Sequence, residues 1–387
     1  MWNKLLQQVE ESINVSLANS IRDIEATGQS IIKMQTGDPD FNTPDFICEA
    51  SQQAMLSGET HYCASSGVSE LKAAITQKLA SQNKFTSPKS HHILVTQGAV
   101  HGLYLTLQTL LNYGDEVIII APYWMPYHSN IILAGAKPVV VKARAENDFI
   151  PSLNDIICAI TQNTKAIIIN SPNNPTGAVY SRDVLQSIGQ HCFDKGIYII
   201  SDEVYEDLLY EDKHYSMQSI LPNNPYIVTL FSFSKSYAMT GWRIGYLYGS
   251  KEFVAQANKL TQYITTSINS FVQAGAVSAL THQKSPESKQ SILDLFSSRR
   301  ELIINKISGT WLQHCIVIPK GAFYLFIDIS SFSSNSMTFV KQLLEHEHIA
   351  FTPGLAFGVE SDHCIRMTFA SNEVDIIKAL DILIRLK

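Results

Sequence analysis

The sequence predicts an α/β fold: a mostly parallel, doubly wound, seven-stranded sheet forming a large domain, followed by a smaller α/β domain. Three observations predict it. From residue 91, short continuous runs rich in Ile and Val alternate with segments of helical spacing, the pattern of βαβ units whose strands are buried on both faces. Several candidate site residues fall at the carboxyl ends of these runs, and those ends are where ligands gather in such sheets. At 387 residues the chain exceeds what one compact core needs, so two domains are the default.

In chain order, Leu5, Leu6, Val9, Ile13 and Leu17 recur at helical spacing and predict a helical arm over 1–33. The arm region, 1–36, is expected to join the small domain. Gly37-Asp38-Pro39-Asp40-Phe41-Asn42-Thr43-Pro44 holds a glycine and two prolines, an ordered turn leading into a helix from Asp45. Candidate strands follow at 92–96, 116–120, 137–141, 166–170, 197–201, 226–231 and 244–248. Leu103, Leu107, Leu110 and Leu111 mark a helix after the first of them. The polar stretch THQKSPESKQ after residue 280 marks a boundary, giving a large domain over 37–281 and a small one over 282–387. Helical spacing then resumes through Ile292, Leu295, Phe296, Leu302 and Ile303, as in a long connecting helix.

Composition excludes several classes of function. Apolar residues make up 45% and aromatics 10%, ordinary for a globular protein. A formal charge of −6 leaves no basic footprint for nucleic acid. No apolar run reaches the roughly 18 residues of a membrane span. The first residues carry acids early and show no small-residue cleavage site, unlike a signal peptide. Six widely spaced cysteines with no C-x-x-C pair suit reduced thiols in a cytoplasmic protein. Glu345-His346-Glu347-His348 looks metal-like, but neighbours two apart on a helix point in different directions. It reads as a solvated helix end, and no metal is expected.

The most informative stretch is 229–249, TLFSFSKSYAMTGWRIGYLYG. Lys235 closes an apolar run and sits among hydroxyls. That placement is odd for a surface charge and suits a lysine that forms an imine, because desolvation disfavours the ammonium form. Ser232, Ser234 and Arg243 offer hydroxyl donors and a planar, permanently charged fork, the groups a phosphate needs. Imine and phosphate in one segment point to pyridoxal 5'-phosphate (PLP). The structural alternative is a strand, a polar turn and a buried Trp–Arg contact.

Other run ends add candidates. Gly98, Ala99 and Val100 open a helix, where free backbone N–H groups hold phosphate. Trp124 follows the second run and Asn174 lies in the turn after the fourth, Ser171-Pro172-Asn173-Asn174-Pro175-Thr176-Gly177. Asp202 follows the fifth, at the mouth of the sheet, with Tyr205 three residues on; a helix cap is the alternative role for that Asp. Arg366 lies inside an apolar run with no adjacent acid. It needs an anionic partner, either a substrate carboxylate or a structural ion pair.

These motifs jointly resemble the class I aminotransferases, the aspartate aminotransferase-like branch of fold type I PLP enzymes, from about Gly37 to Ala370. The resemblance implies that Lys235 holds PLP, Asp202 keeps its pyridine nitrogen protonated, and Asn174 and Tyr205 share its phenolic oxygen. It implies that Trp124 stacks on the ring, and that Arg243, Ser232, Ser234 and the turn at Gly98 hold the phosphate. Tyr62, in Y-x-x-x-x-G-x-x-E-L, matches a tyrosine that reaches the phosphate of the neighbouring subunit of a homodimer. Lys72 replaces the usual arginine of that motif. Gly37 matches the glycine beside the substrate carboxylate, and Arg366 matches the arginine that clasps it.

The reaction expected is transamination from an L-amino acid to 2-oxoglutarate, with ping-pong kinetics. Asp202 and Tyr205 assist the catalytic Lys235, and aspartate is the expected donor. Aromatic or alanine-type transamination, or a carbon–sulfur β-lyase on the same fold, are the alternatives. A PLP-binding transcription regulator is a further alternative, disfavoured because the residues before Gly37 are not basic. Gly98-Ala99-Val100-His101 contains no lysine to meet a distal carboxylate. The sequence offers His101, arm hydroxyls such as Ser16 or Ser20, or an unidentified residue of the partner chain in its place.

Overall fold

A computed structural model describes residues 2–211 and 213–386. Its strands are β1 Ile32–Lys33, β2 Ile93–Thr96, β3 Glu116–Ala121, β4 Lys137–Lys142, β5 Thr164–Asn170, β6 Tyr198–Asp202, β7 Ile227–Ser232, β8 Gly245–Tyr248, β9 Tyr324–Asp328, β10 Ile349–Ala350, β11 Thr352–Pro353 and β12 Cys364–Thr368. Seven of them form one sheet in the order β2-β8-β7-β6-β5-β3-β4. Strands β4, β3, β5, β6 and β7 run parallel, and β8 is antiparallel to both of its neighbours. This is the expected α/β sheet, mostly parallel and covered by helices.

The Ile/Val runs become strands because both of their faces are covered. Val117, Ile119 and Ala121 pack with Leu103 and Leu107 of helix Gly98–Leu110. The alternate residues Ile118 and Ile120 pack with Leu185 and Ile188 of helix Arg182–Lys195. This is the period-2 alternation of a strand with no solvent face. Burying each such side chain stabilises the fold by about 1.5–3 kcal/mol.

A separate core gathers Phe296, Phe323, Tyr324, Ile365 and Phe369. It lies against helix Ser285–Ile307 and the antiparallel sheet β11-β12-β9. The first residues differ from the expected single helix. A short 3-10 turn at Leu6–Gln8 gives way to extended backbone at Val9, and helix Ile13–Glu25 starts afresh after Ser12. β1 then pairs in parallel with β10, Ile32 opposite Ile349. No helix among the described residues is long and apolar enough to cross a membrane.

Register positions the site. Asn170 lies opposite Asp202, and Asp202 opposite Leu230. β5 and β6 therefore end level, β7 runs two residues further, and their terminal residues Asn170, Asp202 and Ser232 line one space.

Candidate active site

That space is a cavity of about 540 Å³, within the usual range for small-molecule sites. Lys235 lies in its wall, three residues past β7. Its Nζ donates to the carbonyl of Gly37 at 2.5 Å. The rings of Phe323 and Tyr205 stand 5.6 and 6.0 Å from it. Burial lowers the Lys235 proton affinity to about 8, helped by Arg366 and Arg243 and opposed by Asp38. Gly37 has no alternative here, because a Cβ on it would meet the Tyr324 hydroxyl at 2.1 Å.

One end of the cavity is built for an anion. Ala99 and Val100 open helix Gly98–Leu110 there, beside Ser232, Ser234, Thr240 and Arg243. The Arg243 backbone is left-handed, φ 53°, a conformation that costs a non-glycine residue about 1–2 kcal/mol. Arg243 Nη1 donates to the Thr240 carbonyl at 2.9 Å, and the Thr240 hydroxyl donates to Asp38 Oδ1 at 2.6 Å. Gly98 is held at φ +75°, where a Cβ would meet Arg243 Nη2 at 2.6 Å. Glycine thus lets the helix start and the guanidinium share one cradle.

The other end carries a carboxylate. Asp202 closes β6, is buried, and accepts from the Tyr127 hydroxyl at 2.6 Å. Burial raises its carboxyl to about 6; the bonds from Tyr127 and the Val204 amide pull it down, and the Glu203 charge pushes it up. Asn170 Nδ2 donates to the Asp202 carbonyl at 3.1 Å, while Asn170 Oδ1 accepts from the Asn174 amide at 2.9 Å. The turn bearing Asn174 is thereby pinned to the strand that ends in Asp202.

Arg366, on β12, reaches the cavity from the second core. It is only 4% exposed. Its Nη1 donates to Asn174 Oδ1 at 3.0 Å, and its Nη2 to the Gln35 carbonyl at 2.6 Å and the Thr352 hydroxyl at 3.2 Å. The guanidinium lies over the Tyr324 ring at 4.3 Å. Nε has no partner, and among the described residues no carboxylate lies within ion-pair distance. A buried arginine left in this state provides for an anion from outside the chain.

Of the residues singled out in the sequence, Ala99, Val100, Trp124, Asn174, Asp202, Tyr205, Ser232, Ser234, Lys235, Arg243, Gly37 and Arg366 all line this cavity. Gly98 sits directly beneath Arg243. Tyr62 does not line it: at 86% exposed, Tyr62 lies on the surface.

The three named candidates for a distal carboxylate are corrected. Ser16 and Ser20 are exposed, and Ser20 donates to the Ser16 carbonyl at 3.3 Å. Asn14 and Ala18, on another face of the same helix, line the cavity instead. His101 turns back on its own helix, its Nδ1 accepting from the Gln97 amide at 3.1 Å, and it lines a different hollow.

Sequence reasoning missed Gln35, Asp38, Tyr127, Asn170, Thr240 and Tyr324 in this wall. Tyr324 is the most consequential: its hydroxyl lies 2.8 Å from that of Tyr205. It closes the stretch Gly321-Ala322-Phe323-Tyr324, and only the fold shows that the tyrosine points here.

The donor set fits PLP. An arginine, hydroxyls and a helix start suit a phosphate dianion, and an aspartate at the far end suits a protonated pyridine. A lysine of lowered proton affinity lines the same cavity, as does Trp124, set edge-on to Tyr127 at 5.6 Å.

Comparison with known proteins bears on the same residues. The family model for aminotransferase class I and II matches residues 29–383. A probable aspartate/prephenate aminotransferase of Aquifex aeolicus is 36% identical over 97% of this chain and 95% of its own length. An aspartate aminotransferase of Pyrococcus horikoshii is 35% identical over 91% of this chain and 90% of its own. The structure of Thermus thermophilus aspartate aminotransferase with maleate superposes with a TM-score of 0.94 at 32% identity, covering all of both chains. That of an aromatic aminotransferase of Pyrococcus horikoshii gives 0.88 at 32% identity, over 95% of this chain and 98% of the other.

Proposed function

The chain belongs to the aminotransferase class I and II family, and from that premise we propose that it uses PLP to move the amino group of an L-amino acid, aspartate foremost, to 2-oxoglutarate with ping-pong kinetics. The observation that carries this is the buried Arg366. It has no carboxylate partner among the described residues, and it faces the same cavity as Lys235. One group binds a carboxylate and the other binds a carbonyl, which is what an amino acid and its cofactor require.

When bound, PLP supplies an electron sink that stabilises negative charge at the substrate Cα. The chain does the rest. Arg243, the hydroxyls of Ser232 and Ser234, and the helix start at Gly98 hold the phosphate. Asp202 accepts the proton-bearing ring nitrogen as an anion. Tyr205 and Asn174 donate to the phenolic oxygen, and Tyr324 orients Tyr205. Trp124 supplies a flat apolar wall. Arg366 clasps the α-carboxylate beside the Gly37 carbonyl. Lys235 Nζ, which burial makes easier to deprotonate than an ordinary lysine, takes the proton from Cα and returns it on the far side of the reaction.

The aspartate assignment rests on the names of the relatives. A second reading has its own support: Asn14, Ala18, Val100 and Trp124 also line the cavity, and among the described residues its lining holds no cation besides Lys235, Arg243 and Arg366. That wall suits an aromatic or small neutral donor. A panel of donors with 2-oxoglutarate, ranked by kcat/KM, decides between them. Aspartate is expected to lead. If Phe, Tyr or Ala exceeds it by more than about tenfold (about 1.4 kcal/mol), the aspartate reading fails and transamination stands. With donor alone, one 2-oxo acid per site is expected; continuous release of pyruvate and ammonia identifies a β-lyase and contradicts transamination.

The proposal includes a cytoplasmic homodimer with shared sites, supported by the exposed Tyr62. Mixed dimers of Tyr62→Phe and Lys235→Ala chains are expected to hold one competent site. No recovery above the Lys235→Ala homodimer contradicts a shared site.

A further inference from the structure

Behind the turn that presents Asp202 and Tyr205 lies a second set of charges. Glu203, Glu206 and Asp207 belong to the same turn but not to the cavity wall. Each meets one base from another part of the chain. Glu203 Oε2 lies 2.8 Å from His214 Nε2, Glu206 pairs with Lys78, and Asp207 Oδ1 lies 2.9 Å from Lys289. Lys78 comes from helix Ser69–Ser81 and Lys289 from helix Ser285–Ile307. Three acids against three bases make a neutral cluster only when His214 carries a second proton.

Glu203 is enclosed by donors. It is 2% exposed. Its Oε1 accepts from the hydroxyls of Ser201 and Ser216 and the amide of Met217 at 2.8, 2.9 and 3.1 Å. Donors to the charged form stabilise it. A buried anion one residue from Asp202 opposes ionisation of Asp202, in the direction already given for that carboxyl.

We propose that His214 is a positioning residue acting by charge: as an imidazolium it cancels Glu203, and so keeps Asp202 an anion for a cationic ring nitrogen in the cavity. The inference rests on the PLP reading above. The charged groups facing His214 are Glu203 and Glu206, with Lys78 beyond them. The charged group facing Asp202 is Glu203, beside the neutral, titratable hydroxyls of Tyr127 and Tyr205. Burial disfavours the charged form of His214, but the two glutamates outweigh it and the net direction is up. A neutral imidazole keeps one N–H for Glu203, so loss of the proton removes charge without removing the hydrogen bond. A base whose folded proton affinity is raised adds stability that is complete below its ordinary value and lost as pH rises through its folded value.

The test compares wild type, His214→Gln and the double variant Glu203→Gln/His214→Gln, measuring PLP affinity of the apoprotein against pH. His214→Gln keeps a donor and loses the charge, so the acid limb of PLP binding is expected to move up by about one pH unit. The double variant removes both charges and is expected to return the limb to its wild-type position. If both variants weaken binding equally at every pH with no shift of the limb, the role is packing and the proposal is overturned.

Nitrogen NMR of histidine-labelled wild-type apoprotein decides the charge without any variant. The His214 imidazole, assigned through its sequential amide contacts, is expected to remain doubly protonated above its ordinary value of 6.5. Loss of that proton at or below 6.5 overturns the proposal. Absence of PLP binding by wild type at any pH counts against the cofactor reading, and the NMR titration still decides the charge of His214.

Discussion

Lys235→Ala lowers multiple turnover by about three orders of magnitude or more, abolishes the imine absorbance and leaves the fold intact. Among the described residues lining the cavity, Lys235 is the one amine. Arg243 and Arg366 share its space but do not surrender protons near neutral pH. Neither replaces it as a nucleophile toward a carbonyl or as a base at Cα. The side chain spans to the Gly37 carbonyl without joining a buried ion pair, so its loss removes no structural contact of consequence. Steady-state kinetics with circular dichroism check this result. A folded variant turning over at the wild-type rate contradicts the assignment.

Asp202→Asn has the next largest expected effect, a fall in kcat of about 10²–10³-fold with PLP still bound. The amide keeps the size of the side chain and can still meet the Tyr127 hydroxyl that now donates to Asp202 at 2.6 Å. It carries no negative charge, so nothing favours a proton on the ring nitrogen at the far end of the cavity. A variant that retains wild-type spectra of the bound cofactor and turns over within about tenfold of wild type contradicts the role of Asp202.

Much of this site is legible in the sequence because it is built where strands stop. An Ile/Val run that ends in Asp202, or in Ser232 through Lys235, announces a buried strand and then a polar group at its carboxyl end. The parallel sheet gathers those ends. Two kinds of residue escape this logic. Tyr324 arrives from an element far away in sequence, and Tyr127 and Gln35 flank Trp124 and Gly37 with no pattern to show which way they point; periodicity says nothing about which elements meet. Ser16 and Ser20 lie on the correct helix but on the wrong face of it. Helical spacing gives relative phase, and only packing of Ile21 against Leu344 and Ala350 sets which side faces the cavity. The charges behind Asp202 escape for a third reason. Glu203, Glu206 and Asp207 carry no sign in the sequence of what they meet, whereas the fold pairs them with His214, Lys78 and Lys289 in a partly buried cluster. The arm shows the limit of spacing as well: apolar residues at helical intervals span Val9, where the backbone is extended.

The central claim is that one lysine at the end of β7 carries the cofactor. Borohydride reduction of the holoenzyme, followed by digestion and mass spectrometry, tests it most directly. A single pyridoxyl-phosphate adduct is expected on the peptide containing Ser234-Lys235-Ser236, stoichiometric with chains and absent after prior treatment with amino-acid donor. An adduct on another lysine, or none on enzyme that binds PLP, contradicts it.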